Sequence, residues 1–268
     1  MLRDITIGQF FPGTSAVHRV DPRVKLTLVV CMIVTLFLAA GPVSYALLAL
    51  YILSIIKISG IAPKMVVRGL KPVVFIVAFT AVLNLFYTPG NELWSLGFLH
   101  VTDAGIKVAV LMVVRILLLI IGTSMLTYTT SPIDLTDGLE LLLGPLKKIH
   151  VPVHELAMMM SIALRFIPTL IEETEKIISA QKARGADFDS GNLLQRIRAM
   201  IPILVPLFIS AFRRADELAT AMECRLYRGD VGRTRMKQLR VSTVDYQAIA
   251  FSGVLFAAVI ILGRGFGL

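Results

Sequence analysis

Five long apolar runs, each carrying at most one or two charges, restrict most severely what this chain can fold into. They extend from Val24 to Ala40, Val43 to Ile58, Pro72 to Tyr87, Ile106 to Tyr128 and Val244 to Leu262. A helix needs about 20 mostly apolar residues to cross a hydrocarbon core of about 30 Å. In lipid a helix also satisfies its backbone polar groups within itself. The expected fold class is therefore all-α: a polytopic membrane protein with about five transmembrane helices. Hydrophobic residues make up 56% of the chain and charged residues only 17%, with a mean hydropathy of +0.78. That balance excludes an ordinary soluble domain, which needs more polar surface. Residues 1–22 contain no apolar core long enough for a cleavable signal, so the run starting at Val24 reads as a retained span.

The charges are segregated from these runs. Arg19, Arg23 and Lys25 lie at the start of the first span, and Lys57, Lys64, Arg68 and Lys71 between the second and third. The link Gly41-Pro42 and the loop from Thr88 to Gly105 carry no basic residue. Lys and Arg accumulate in cytoplasmic loops, so this alternation predicts a cytoplasmic N-terminus, an outward-facing C-terminus and a cytoplasmic segment from Ser131 to Arg240. Three divisions follow: residues 1–130 with four spans, 131–240 as a cytoplasmic helical module, and 241–268 with the last span. The same bias, together with contact to anionic headgroups, accounts for much of the formal net charge of +9. The basic stretch Arg228, Arg233, Arg235, Lys237 and Arg240 reads as such an anchor beside the lipid bilayer. It carries no aromatic platform for nucleic acid.

Within the cytoplasmic segment, Leu156 to Ile171 and Ala199 to Phe212 are apolar but short. Arg165 and Pro168 interrupt the first, Pro202 and Pro206 the second. Had both crossed the membrane, a loop with Lys176, Lys182, Arg184, Arg196 and Arg198 would face outward. They read instead as amphipathic helices lying along the membrane face or against other subunits. Each continues into a charged helix ending in Ala-x-x-x-Arg, at Ala180 to Arg184 and Ala221 to Arg225. Glycine follows, at once as Gly185 and later as Gly229, and terminates helices well. An arginine at a helix C-terminus is either a cap favoured by the macrodipole or a docking knob whose guanidinium fork pairs with carboxylates on a partner. The residues alone leave both readings open.

The chain resembles the transmembrane coupling subunit of energy-coupling factor transporters, the EcfT family (CbiQ/BioN-like), part of ATP-driven importers of vitamins and metal ions. The resemblance rests on Pro22-Arg23-Val-Lys25, the stretch from Gly144 to Glu155, the run from Ala157 to Pro168, Ala183-Arg184-Gly185, and Ala221-Met-Glu-Cys-Arg225. It implies two cytoplasmic coupling helices, each ending in Ala-Arg-Gly, whose arginines dock on two ATP-binding subunits of the EcfA type. The first motif is complete as Ala183, Arg184 and Gly185. In the second, Cys224, Arg225 and Leu226 keep only the arginine, and the lost glycine weakens the expectation of an immediate backbone turn. A shorter helix is expected near Pro132 to Leu143, with Ser131 as its N-cap. The resemblance also implies a separate substrate-binding membrane subunit, the S-component. Leu156, Met158, Met159, Met160 and Ile162 are candidates for its interface, since methionine suits a surface that must repack; ordinary core packing is the alternative.

No Gly-x-x-x-x-Gly-Lys-Ser/Thr, His-Glu-x-x-His or Gly-x-Ser-x-Gly occurs. No catalytic residue, cofactor or metal site is expected. Pro152 separates His150 from His154, and Cys31 and Cys224 read as free thiols. Arg115, within the fourth span, is functional by default or is held by an ion pair, backbone carbonyls or Asn84. The expected function is a non-catalytic scaffold in the cell membrane coupling ATPase motion to micronutrient uptake. A self-contained secondary transporter and a membrane-embedded enzyme are the alternatives.

Overall fold

The computed structural model describes residues 10–96, 99–186, 188, 192–229 and 238–265. Residues 1–9, part of the stretch read for a signal, and Arg233, Arg235 and Lys237 lie outside the described residues. The helices are α1 (Ala16–Arg19), α2 (Pro22–Leu38), α3 (Gly41–Ser59), α4 (Pro63–Tyr87), α5 (Asp103–Thr129), α6 (Pro132–Leu142), α7 (Val153–Ala183), α8 (Leu193–Cys224) and α9 (Thr243–Gly265). A 3-10 turn, Gly144–Ile149, precedes α7. The loop between α4 and α5 departs from this helical plan. There β1 (Glu92–Leu96) and β2 (Leu99–Thr102) pair antiparallel, with Glu92 opposite Thr102 and an irregular register between Glu92 and Trp94.

Among the described residues six helices are long and apolar enough to cross a membrane: α3, α4, α5, α7, α8 and α9. The 17-residue α2 is slightly shorter. Length and composition do not separate α7 and α8 from the rest, but apolar distribution does. The other long helices are nearly uniformly apolar, whereas α7 and α8 are distinctly amphipathic.

The described residues divide into two compact units, 10–142 with 239–265, and 143–238. In the first, α2, α3, α5 and α9 enclose a core of Met32, Leu36, Tyr45, Leu48, Tyr51, Ile52, Leu118, Phe256 and Val259. Tyr51 donates or accepts a 2.8 Å hydrogen bond with Ser252 across this core. α4 packs along α5, and its outer face leaves Val74, Phe75, Ile76 and Phe79 exposed, the expected state of a helix that turns one side to lipid. α6 belongs to this unit and lies against the start of α2: a Cβ on Gly138 would stand 2.9 Å from the Pro22 Cβ. Ser131 caps α6 by accepting from the Asp134 amide at 3.1 Å.

The polar ends of these helices are tied together. The Lys25 ammonium is buried and donates to the Thr129 carbonyl at 2.9 Å and the Thr130 hydroxyl at 3.1 Å. It thereby serves the C-terminal end of α5, where a cation is favoured. Asp245, only 1% exposed, accepts from the Asp21 amide at 2.7 Å and from the Ser242 amide and hydroxyl. Asp21 in turn caps α2 and pairs with Arg23 at 2.8 Å. Burial pushes the Asp21 carboxyl up, but hydrogen bonds from Arg23 and the charges of Arg23 and Lys25 outweigh it and hold the group below its ordinary value. Sequence reading placed Lys25 among loop charges; it is instead an internal fastener of the helix bundle.

Candidate functional site

The second unit consists chiefly of α7 and α8. They run antiparallel. Glu173 on α7 pairs with Arg214 on α8 at 3.0 Å, and Gln181 near the end of α7 reaches Pro202 in the first third of α8 at 3.4 Å. At the other end Tyr227, just beyond α8, donates to the Met158 Sδ at 3.0 Å and lies 3.5 Å from the His154 Nε2. The Gln181 contact has a local cause. Pro206 has no N–H to offer the carbonyl four residues earlier, and that carbonyl, Pro202, is the one Gln181 approaches. Both helices continue through their prolines instead of breaking at Pro168, Pro202 or Pro206.

The antiparallel arrangement puts Arg184 and Arg225 at opposite ends of the pair. A helix of 31 residues is about 46 Å long at about 1.5 Å per residue, so the two guanidinium groups are well separated. Both arginines are exposed. Each occupies the C-cap of its helix, and the two caps share one hydrogen-bond pattern. At the first, the Gly185 amide donates to the Lys182 carbonyl at 3.0 Å and the Ala186 amide to Gln181 at 3.0 Å. At the second, the Leu226 amide donates to Glu223 at 2.9 Å and the Tyr227 amide to Met222 at 3.0 Å. These pairs define the Schellman motif. Gly185 has φ +86° and Leu226 has φ +56°. The expectation that losing glycine would weaken the turn after Arg225 is corrected: the backbone reverses there immediately, with leucine in the left-handed conformation. Ala183 and Cys224, the residues before each arginine, are also exposed.

The predicted apolar interface divides in two. Leu156, Met159 and Met160 are exposed on α7. Met158 is half-buried and engaged by Tyr227, and Ile162 lines a cavity of about 260 Å³ between α7 and α8 with Phe166, Leu170, Leu218 and Met222. The larger free apolar surface is on α8, where Ile197, Ile201, Leu204, Val205, Phe208 and Phe212 are all exposed. Their spacing of three, four and seven residues places them on one side of the helix. Sequence reading located this stretch but named no residue in it as an interface; its helical spacing was the available signal. Burial within the unit is slight: Ile203 is the only buried residue described on α8. Exposed apolar surface on this scale marks a face covered by protein or lipid.

The other singled-out side chains lie elsewhere. Arg115 donates from Nε at 2.8 Å, and from Nη2, to the Tyr45 hydroxyl, with its guanidinium over the rings of Tyr45 and Phe37. Asn84 is not its partner but donates to Thr80 of its own helix at 2.8 Å. His154 is buried in the first turn of α7, and His150 ends the 3-10 turn at φ +61°.

A bundle of apolar helices together with an amphipathic, arginine-tipped helix pair defines a multi-spanning membrane protein. The chain belongs to the CbiQ family, described as cobalt transport protein, whose model matches residues 13–237. It is similar over its whole length to energy-coupling factor transporter transmembrane proteins EcfT. The protein from Ruminiclostridium cellulolyticum is 56% identical over 98% of each chain. That from Thermosediminibacter oceani is 54% identical over 95% of this chain and 96% of its own. The Bacillus subtilis protein is 46% identical over 98% and 99%. The chain is thus a transmembrane component of the energy-coupling factor transporter type.

Proposed function

We propose that this chain is the coupling scaffold of an ATP-driven micronutrient importer and performs no covalent chemistry itself. Two ATP-hydrolysing subunits dock in the cytosol, one on Arg184 and one on Arg225. A substrate-binding membrane subunit rests on the exposed apolar faces of α7 and α8. When the ATPases close on ATP and reopen on hydrolysis, they move the two helix ends, and the helices transmit that motion to the substrate-binding subunit. The observation that carries this reading is the pairing of two long antiparallel helices whose opposite ends repeat one cap, each presenting an exposed arginine. A cap that merely terminated a helix would not require an arginine at both ends.

The orientation follows from charge. Lys64, Arg68 and Lys71 gather in the first half of α4, on the side where α3 ends, and the positive-inside rule places that side in the cytosol. The segment that carries the amphipathic α7 and α8 is then cytoplasmic, with the N-terminus inside and the C-terminus outside.

Charge reversal tests the docking. Arg184→Glu combined with Arg225→Glu is expected to abolish co-purification of the ATPase subunits from native membrane while leaving the chain inserted. Undiminished ATPase recovery would sink the proposal. Cys224, an exposed free thiol, tests the orientation: an impermeant maleimide should fail to label it in intact cells and label it in inverted vesicles stripped of ATPases. Labelling from outside would refute the cytoplasmic placement.

A further inference from the structure

The two arginine-bearing turns have the same backbone and differ in one side chain. After Arg184 the left-handed position holds Gly185, which adopts that conformation freely. After Arg225 it holds Leu226, at φ +56°. A side chain in this region brings its Cβ too close to the following carbonyl oxygen, so leucine is strained where glycine is not. Its side chain gains little packing in return among the described residues: Leu226 is 75% exposed. The cap does not require it either. A Schellman motif draws its apolar contact from the residue after the left-handed one, here Tyr227, which is fastened to Met158 and His154. The chain thus holds a strained, exposed isobutyl group beside the Arg225 guanidinium, on a turn buttressed from behind. Residues held in strained backbone conformations by their surroundings cluster at active sites, ligand clamps and switch regions, and here the surrounding hold is the cap and Tyr227.

We infer that Leu226 is the apolar anchor of the Arg225 end. It enters an apolar pocket adjoining the carboxylates that receive Arg225 on the ATP-hydrolysing subunit. The Arg184 end has no such anchor, because Gly185 carries no side chain and the turn there presents bare backbone. The two ends therefore address chemically different grooves, one reading charge alone and the other reading charge with an adjacent apolar group. The inference rests on the docking reading above.

The test titrates the full-length chain in detergent with its own purified ATPase subunits, comparing wild type, Leu226→Gly, Leu226→Met, Arg225→Glu and the double charge reversal. Leu226→Gly is expected to weaken binding roughly tenfold or more, the effect of losing one buried leucine. Leu226→Met should bind nearly as wild type. Thermal unfolding of the free chain separates recognition from folding, because Leu226→Gly relieves backbone strain and should melt no lower than wild type. If Leu226→Gly binds within twofold of wild type while Arg225→Glu loses binding, the anchor is refuted and docking stands. If the double charge reversal binds as wild type, the docking reading falls and takes the anchor with it.

Discussion

The Lys25 ammonium donates to the Thr129 carbonyl at 2.9 Å and so ties the first turn of α2 to the last turn of α5. Residues 104 positions apart are joined by a buried charge that donates to the Thr129 carbonyl, to the Thr130 hydroxyl and, more distantly at 3.4 Å, to the His18 carbonyl. Lys25→Ala leaves the end of α5 without its donor and is expected to destabilise the bundle by about 1–3 kcal/mol. Thermal unfolding in detergent measures it, and an unchanged melting temperature would show that the contact contributes nothing.

Arg115 and Tyr45 form a second test. Tyr45→Phe removes the hydroxyl that receives two guanidinium N–H groups and should cost about 1–3 kcal/mol. Adding Arg115→Leu to that variant should recover much of the loss, since replacing both partners of a partly buried polar pair by apolar groups is often close to neutral. A double variant as unstable as the sum of the singles would argue against this coupling.

Glycine packing gives a prediction of opposite signs. Gly138→Ala puts a methyl group 2.9 Å from the Pro22 ring. The ring is rigid, so the expected loss is about 1–3 kcal/mol. Gly253→Ala in α9 meets nothing within 4 Å and should be neutral or stabilise by about 0.5–1 kcal/mol through helix propensity. Comparing the two melting curves distinguishes close approach of α6 and α2 from a general intolerance of alanine.

The Glu173–Arg214 pair joins α7 to α8 with both side chains partly exposed, 24% and 36%. Such a pair contributes about 0.2–1 kcal/mol, and the buried Arg214 Nε finds no hydrogen-bond partner among the described residues to add to it. A double-mutant cycle with Glu173→Gln and Arg214→Met is therefore expected to give a coupling energy of at most about 1 kcal/mol. A markedly larger coupling would mean that this ion pair, rather than apolar contact, holds the two helices together.

Much of this architecture was legible in the amino-acid order because the bilayer is an unusually strict solvent. Apolar runs long enough to cross it mark the positions of α2, α3, α4, α5 and α9, and Ser131 with Pro132 marks the start of α6, since caps depend on neighbours in the chain. The helix ends at Arg184 and Arg225 were likewise predictable from local pattern. Two outcomes escaped a reading of apolar runs, one for a local reason and one for a contact distant in sequence. α4 begins at Pro63, nine residues before the apolar run, because its first turns are charged yet still helical. Lys25 becomes an internal fastener only because α5 ends beside it.

The chain's order of residues by itself determined an all-helical membrane protein, its charge asymmetry and the two arginine-bearing helix ends, because hydropathy, capping and charge act over a few residues. Tertiary structure alone decided that α7 and α8 run antiparallel, which sends Arg184 and Arg225 to opposite ends. It also decided that Leu226 accepts the left-handed turn that local preference reserves for glycine. In both cases the deciding contacts join residues far apart in the chain: Glu173 with Arg214, and Tyr227 with Met158.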